Sequence, residues 1–382
     1  MRILLFGPYP QQDGRVTGGV MAVVYALAQG LSQYPDLDVA VASASPGSED
    51  RMEKDGRITL YRLGIPRLPR ARGHRRIRRK LVETAHDFHP TLIHAHGTGY
   101  YAAAAQDGFW PLVLTAHGVV YEEAQRSGSL GLKNRLAWQY DARLEQQVLR
   151  RARHVIAISP YIRQAFADYP HLQWTDIPNP VDDSFFEITR QPQPGRLFTP
   201  ARIIPRKGTD ILIRAFAAIA EAFPQATLRI AGETDSAPAF VRQCREIAVA
   251  AGVDDRVHFL GNLEKEALLM EYSQAAAVVL PARQETAPVA IEEALAAGCP
   301  VIATQVGGVP WMIDHEETGL LLPPEDANAL AHALRQALSQ PARLNKWGEQ
   351  ARQAAAPYRR DAVIDKTIAL YRQIIDQTPA HG

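Results

Sequence analysis

Short apolar runs rich in Val, Ile and Leu alternate along this chain with longer segments whose apolar residues recur at helical spacing. This is the pattern of parallel strands, buried on both faces, joined by crossover helices. In the first half it predicts strands near Arg2–Phe6, Leu37–Ala42, Ile58–Leu63, Thr91–Ala95, Leu112–Thr115 and Val155–Ile158. In the second half it predicts them near Arg196–Thr199, Thr227–Ala231, Val257–Leu260, Ala277–Leu280, Val301–Ala303 and Gly319–Leu322. Helical period is clearest over Val20–Leu31, from Thr209, and over Ala362–Ile375. The predicted fold class is α/β, with two Rossmann-like, doubly wound domains facing a central cleft.

The stretch from Asn179 to Gly195 has the Pro and Gly content of a linker. It sets the expected domains at residues 1–185 and 186–357, with 358–382 carrying a helix that packs back on the N-terminal domain. Ligands of open α/β sheets lie beyond the C-terminal ends of the strands, so the site is expected in the cleft.

Composition narrows the picture without redirecting it. The chain has 382 residues, 46% hydrophobic and 22% charged, which is ordinary globular usage with room for two cores. Basic residues number 42 against 41 acidic, so no global field draws the protein to nucleic acid or membrane. Cys244 and Cys299 are too few for a disulfide framework or a thiolate zinc site and point to a reducing compartment. The opening Met1–Phe6 gives way to Gly7-Pro8-Tyr9-Pro10 before a signal-peptide core forms, and no run approaches the roughly 18 apolar residues of a membrane span. The expected location is cytoplasmic.

Charge is concentrated in one place. Arg67, Arg70, Arg72, Arg75, Arg76, Arg78, Arg79 and Lys80 occur with no acid among them, and His74–Leu81 reads as helix. Arg75, Arg76, Arg78, Arg79 and Lys80 are therefore candidates for an anionic membrane surface, with Ile77, Leu81 and Val82 offering shallow insertion. A solvated basic face or a site for an anionic acceptor fits the same residues. Nucleic acid is not expected, because no aromatic side chains interleave the cations for base stacking.

Candidate chemistry lies at strand ends. Gly18-Gly19 precedes the first helix, where paired glycines let a ligand approach the backbone or simply open the helix. His117 follows Thr115-Ala116 at the end of a strand, a place for a hydrogen bond to a ligand hydroxyl or for a capping role. His94-x-His96 has a spacing compatible with metal but no carboxylate or cysteine nearby in sequence, so no metal site is expected. Arg202 and Lys207 lie five apart across a Pro-containing turn and can converge on a diphosphate without a metal ion, or form a solvated basic loop. The segment from Pro281 to Thr304 reads as strand end, loop, helix, glycine stop and next strand. Glu285 lies in its loop, backbone N–H groups of Ala287 and Val289 are available to phosphate, and Glu292 and Glu293 point about 100° apart on the helix. Neither G-x-G-x-x-G, G-x-x-x-x-G-K-[ST] nor G-x-S-x-G occurs, which removes nicotinamide-dinucleotide, P-loop and hydrolase-elbow readings.

These residues in this order resemble the retaining glycosyltransferases of family 4, which have the GT-B fold. Glu285 and Glu293 are similar to the family's E-x7-E motif, and Arg202-Ile203-Ile204-Pro205-Arg206-Lys207-Gly208 to its R-L-x-P-x-K-G motif. Gly18-Gly19, Thr115-Ala116-His117-Gly118, Ile177-Pro178-Asn179-Pro180-Val181-Asp182, Gly307-Gly308-Val309-Pro310 and Thr318-Gly319-Leu320-Leu321 follow the family's order. The resemblance implies a transferase that moves a sugar from a nucleotide diphosphate sugar, UDP- or GDP-linked, to a hydroxyl acceptor that is a glycan, a lipid-linked molecule or a small molecule. It implies no cofactor and no metal, a role in cell-envelope polysaccharide or glycolipid synthesis, and peripheral attachment to the inner face of the cytoplasmic membrane.

The resemblance also implies roles. Arg202 and Lys207 bind and stabilise the leaving diphosphate, Glu285 holds hydroxyls of the transferred sugar, and His117 contacts that sugar near the reacting centre. Glu293 takes the ribose, Gly18 and Gly19 close over phosphate or acceptor, and Gly232, Asn262, Leu263, Thr286, Ala287, Pro288 and Val289 complete the donor pocket. The chain departs from the family at Glu285-Thr286-Ala287-Pro288, where Glu-Gly-Phe-Gly is frequent, and at Trp311, where an acid is frequent; Pro288 removes one backbone N–H from the loop. A nucleotide-sugar epimerase or hydrolase, or a binding protein without transfer activity, remain the alternatives.

Overall fold

The structure, a computed structural model, describes residues 1–11, 16–47, 49–65, 70–120, 122 and 132–378. Two compact units divide the chain: the described residues up to Pro180 together with the last helix, and Val181–Arg359.

In the first unit eight strands form one sheet in the order β3-β4-β2-β1-β5-β6-β7-β8. They are β1 (Arg2–Phe6), β2 (Asp38–Pro46), β3 (Arg51–Asp55), β4 (Ile58–Ile65), β5 (Leu92–His96), β6 (Leu112–Ala116), β7 (His154–Ala157) and β8 (Gln173–Asp176). All pairings are parallel except β3 with β4. Central β1 buries Ile3, Leu4, Leu5 and Phe6 completely, as a strand covered on both faces must. The six strands predicted here are present, while β3 and β8 were not anticipated. Both are edge strands whose residues are exposed or half-buried, so they carry no apolar run to read.

In the second unit six parallel strands run β11-β10-β9-β12-β13-β14. They are β9 (Arg196–Pro200), β10 (Thr227–Ala231), β11 (Val257–Gly261), β12 (Ala277–Leu280), β13 (Val301–Thr304) and β14 (Gly319–Leu322). Continuous apolar strands follow from two separate cores: Leu197, Ile230 and Val279 pack on one face, and Phe198, Ala231, Val278 and Leu280 on the other.

The break between units falls earlier than the linker composition suggested. The Val181 N–H donates to Tyr358 O at 2.9 Å, and Phe185 packs in a second-unit core, so residues 181–185 belong with the second unit and not with the first. Likewise Tyr358 and Arg359 stay with the second unit. The last helix, Arg360–Gln377, is part of the first: it buries Val363, Ile364, Ile368 and Tyr371, and Tyr34 donates its hydroxyl to Asp365.

Candidate functional site

Strand order reverses between β9 and β12 in the second sheet, which leaves a crevice at their C-terminal ends. From β9 the chain turns through Pro205–Lys207, a single 3-10 turn started by proline and closed by Gly208 in the left-handed region at φ 70°. A Cβ on Gly208 would stand 2.0 Å from Pro281 O, so only glycine lets this turn lie against the end of β12. That approach carries Arg206 and Lys207 to the Gln284-Glu285 loop.

Lys207 Nζ forms an ion pair with Glu285 Oε1, and Arg206 Nη1 lies 3.6 Å from Glu285 Oε2. Arg206 also donates to Gln284 O at 3.0 Å and to Gln284 Oε1 at 3.1 Å. Glu285 is buried, and so is Arg206. Burial pushes the Lys207 amine below the ordinary lysine value, Glu285 resists that shift, and the charges of Arg206 and Arg202 add to it. Arg202 itself is exposed. The expectation of two converging cations is thus modified: Lys207 and the buried Arg206 hold Glu285, while Arg202 stands within electrostatic reach. Arg206 was not singled out in the sequence, although it sits inside the same motif.

Other groups fix the loop. Arg283 makes a bidentate pair with Asp210 at 3.0 and 2.9 Å, tying the loop to the first turn of helix Thr209–Ala217. Thr304 Oγ1 donates to Ala282 O at 2.5 Å, and the Gly308 N–H donates to Glu285 O at 3.2 Å. Thr286 and Pro288 are buried, Ala287 packs against the core, and Val289 opens helix Val289–Ala296. On that helix Glu292 is completely buried, whereas Glu293 is half-buried and accepts a 2.7 Å hydrogen bond from the Tyr272 hydroxyl. Burial raises the Glu293 carboxyl to about 7, the Tyr272 hydrogen bond opposing it. Gly232 has a packing reason of its own, because a Cβ there would lie 2.2 Å from Ala201 O. Asn262 is exposed, and Leu263 packs on the core.

In the first unit the exposed Gly18 and Gly19 start helix Gly19–Leu31. His117 follows β6 and stacks on His96 from the end of β5, with ring centroids 5.3 Å apart and His117 Nε2 at 3.0 Å from His96 Nδ1. Burial lowers His117 to about 4. Under the same loop the buried Glu145 accepts from Thr98 Oγ1 at 2.7 Å and from the Val120 N–H at 3.2 Å, holding both strand ends.

The basic segment forms helix Arg70–Phe88, longer than expected because its charges mask the apolar face. That face corrects the reading of shallow insertion: Ile77 and Leu81 are completely buried in the unit's core. Arg78 is held by Asp107 at 3.0 and 2.8 Å, and Lys80 by Asp50 at 2.7 Å. Arg72, Arg75, Arg76 and Arg79 face solvent, Arg79 pairing with Glu83 at 3.3 Å; Arg67 lies outside the described residues. Cys244 and Cys299 are buried, and burial pushes the Cys244 thiol up to about 12. Among the described residues no group of three His, Cys, Asp or Glu side chains could hold a metal ion, and no helix is long and apolar enough to cross a membrane.

Two doubly wound α/β units, one with a cation–carboxylate cluster at its switch point, define the GT-B class. Residues 17–185 match the family model described as glycosyltransferase family 4, and 181–354 the one described as glycosyl transferases group 1. The chain belongs to the family 4 glycosyltransferases. It is similar to D-inositol 3-phosphate glycosyltransferase of Corynebacterium efficiens, 33% identical over 174 residues, which is 45% of this chain and 41% of that protein. The matched stretch therefore spans less than half of that relative's length. In fold it resembles a sucrose-phosphate synthase from Thermosynechococcus elongatus, with TM-score 0.82, 24% identity, and coverage of 99% of this chain and 100% of that one. It also resembles Anabaena Alr3699/HepE, solved in complex with UDP-glucose, with TM-score 0.76, 20% identity, and coverage of 98% and 100%.

Proposed function

We propose that this chain transfers a glycosyl group from a nucleotide diphosphate sugar to a hydroxyl acceptor, with retention of anomeric configuration and without a metal ion. The observation that carries this reading is the Lys207–Glu285–Arg206 cluster, with Arg202 in electrostatic reach, at the switch point of the second sheet. As the bond from the anomeric carbon to the diphosphate breaks, its electron pair stays with the diphosphate. Lys207 and Arg202 then stabilise charge that grows as the reaction proceeds, which lowers the barrier instead of merely tightening binding. Glu285 shares Lys207 with the diphosphate and accepts hydrogen bonds from sugar hydroxyls, and Glu293 accepts from the ribose. The acceptor oxygen bonds to the anomeric carbon on the face the leaving group departs from, and its proton passes to a diphosphate oxygen.

The Anabaena neighbour solved with UDP-glucose makes UDP-sugars the first donors to try, with GDP-sugars next. The first unit takes the acceptor, a glycan or lipid-linked hydroxyl of polysaccharide or glycolipid synthesis. Solvent-facing Arg72, Arg75, Arg76 and Arg79 support peripheral contact with anionic lipid.

Thermal unfolding across UDP, GDP, ADP and their sugar conjugates, with and without Mg²⁺, tests the proposal, since a ligand of the folded state raises the transition by mass action. One nucleotide series should raise it, equally in both conditions, and that donor should be consumed only when an acceptor is added. No shift with any nucleotide would overturn the reading, and consumption without acceptor would replace transfer by hydrolysis or epimerisation.

A further inference from the structure

The first unit stacks three imidazoles, and the proposed reaction uses one. His94 and His96 lie two apart on β5 and leave the same face of the sheet; His117 follows β6, the strand paired with it. His94 stacks on His96 with centroids 4.2 Å apart, and His96 on His117 at 5.3 Å. His94 is held at both ring nitrogens: Nδ1 lies 2.6 Å from the Tyr371 hydroxyl of the last helix, and Nε2 lies 2.6 Å from Thr115 Oγ1. His96 Nδ1 is 3.0 Å from His117 Nε2, while His96 Nε2 is buried and reaches no hydrogen-bond partner among the described residues.

This arrangement decides where the protons sit. Burial lowers His94 to about 3 and His117 to about 4, and puts His96 well below the ordinary value, so at neutral pH each ring carries one proton. Of His96 Nδ1 and His117 Nε2, one donates and the other accepts. If His117 donated, the proton of His96 would sit on Nε2, as a buried N–H without an acceptor. Proteins avoid orphaned N–H groups more strictly than under-used acceptors. We infer that His96 is a positioning residue, which donates from Nδ1 to His117 Nε2 and so fixes His117 as the Nδ1–H tautomer.

The consequence rests on the proposed function. His117 then offers the sugar a donor N–H and no free basic nitrogen, which leaves the acceptor's proton to the diphosphate oxygen. His94, anchored by Tyr371 and Thr115, keeps the His96 ring in plane.

Long-range proton–nitrogen NMR of the full chain at pH 7.5, with His117→Gln for assignment, reads the tautomer directly. His117 should be protonated at Nδ1 and bare at Nε2; the reverse overturns the inference. Because this signal does not depend on turnover, it separates a failure here from a failure of the proposed activity. Among variants that remain folded, His96→Asn places an amide N–H where Nδ1 was and should keep kcat within about threefold of the parent. His96→Leu should lower kcat about tenfold with donor KM little changed. His96→Asp places an acceptor there and should move the His117 proton to Nε2. Equal loss of kcat in the Asn and Leu variants would overturn the positioning role.

Discussion

At the ends of β9 and β12 the second unit packs a lysine, an arginine and a glutamate within ion-pair reach, whereas at the ends of β5 and β6 the first unit packs imidazoles that desolvation keeps neutral. Both places are C-terminal strand ends of doubly wound sheets, so topology alone does not separate them. The charged cluster can exchange one counter-ion for another when a polyanion arrives. The imidazoles can only orient dipoles, which suits an uncharged, hydroxylated ligand. A shared layout thus holds two kinds of chemistry, chosen by the side chains that each strand end happens to carry, and under the proposed function these are two kinds of recognition.

The strongest way to test this contrast is to remove one member from each side. Lys207→Ala should lower kcat/KM by about 10²–10³, the scale of losing a preorganised group that stabilises developing charge. His117→Gln should cost less, about tenfold to a hundredfold, in the same initial-rate assay. Equal losses would erase the distinction. Next in size is the backbone that delivers the cations: Gly208→Ala adds a Cβ at φ 70° against Pro281 O, and should destabilise the second unit by more than about 2 kcal/mol in urea unfolding.

The two sides should also titrate with opposite sign. Glu293 is raised from 4.5 to about 7 in the folded protein, so folding is favoured most below pH 4.5, and that advantage disappears as pH rises through 7. Glu293→Gln should therefore gain stability over the parent progressively between pH 5 and 8. His117 is lowered from 6.5 to about 4, so its contribution is complete above pH 6.5 and is lost as pH falls through 4. His117→Gln should gain on the parent in that acid window instead, with both differences read from urea midpoints across pH. The smallest effect is expected on the basic helix: Arg75→Glu with Arg76→Glu should alter stability by less than about 0.5 kcal/mol while weakening flotation with anionic vesicles at low salt.

Twelve strands were legible because each carries a short apolar run, most of them largely buried; β3 and β8 were not, being polar sheet edges with no such run. The position of Lys207, Glu285 and Glu293 at strand and helix junctions could be read from motif and spacing. Their partners could not. Tyr272 lies far from Glu293 in sequence, Glu145 from Thr98, and Tyr371 from His94. Nothing local in a chain records which distant side chain will satisfy a buried polar group; packing alone decides it. The basic helix shows the converse, since its charges drew attention while Ile77 and Leu81 carried the packing. The same motif drew attention to Arg202 and Lys207, and only the turn closed by Gly208 brings the buried Arg206 to Glu285 beside them.

The last helix belongs to the first unit, yet the ribosome makes it after the whole second unit. Synthesis therefore leaves the first sheet waiting with an uncovered flank while Val181–Arg359 is produced, and Tyr371 reaches His94 only after that. In effect the second unit is an insertion within the first. Cutting the chain after Arg359 would not release a finished domain plus a tail; it would leave the earlier-made unit short of a helix and the His94 side chain short of its phenol.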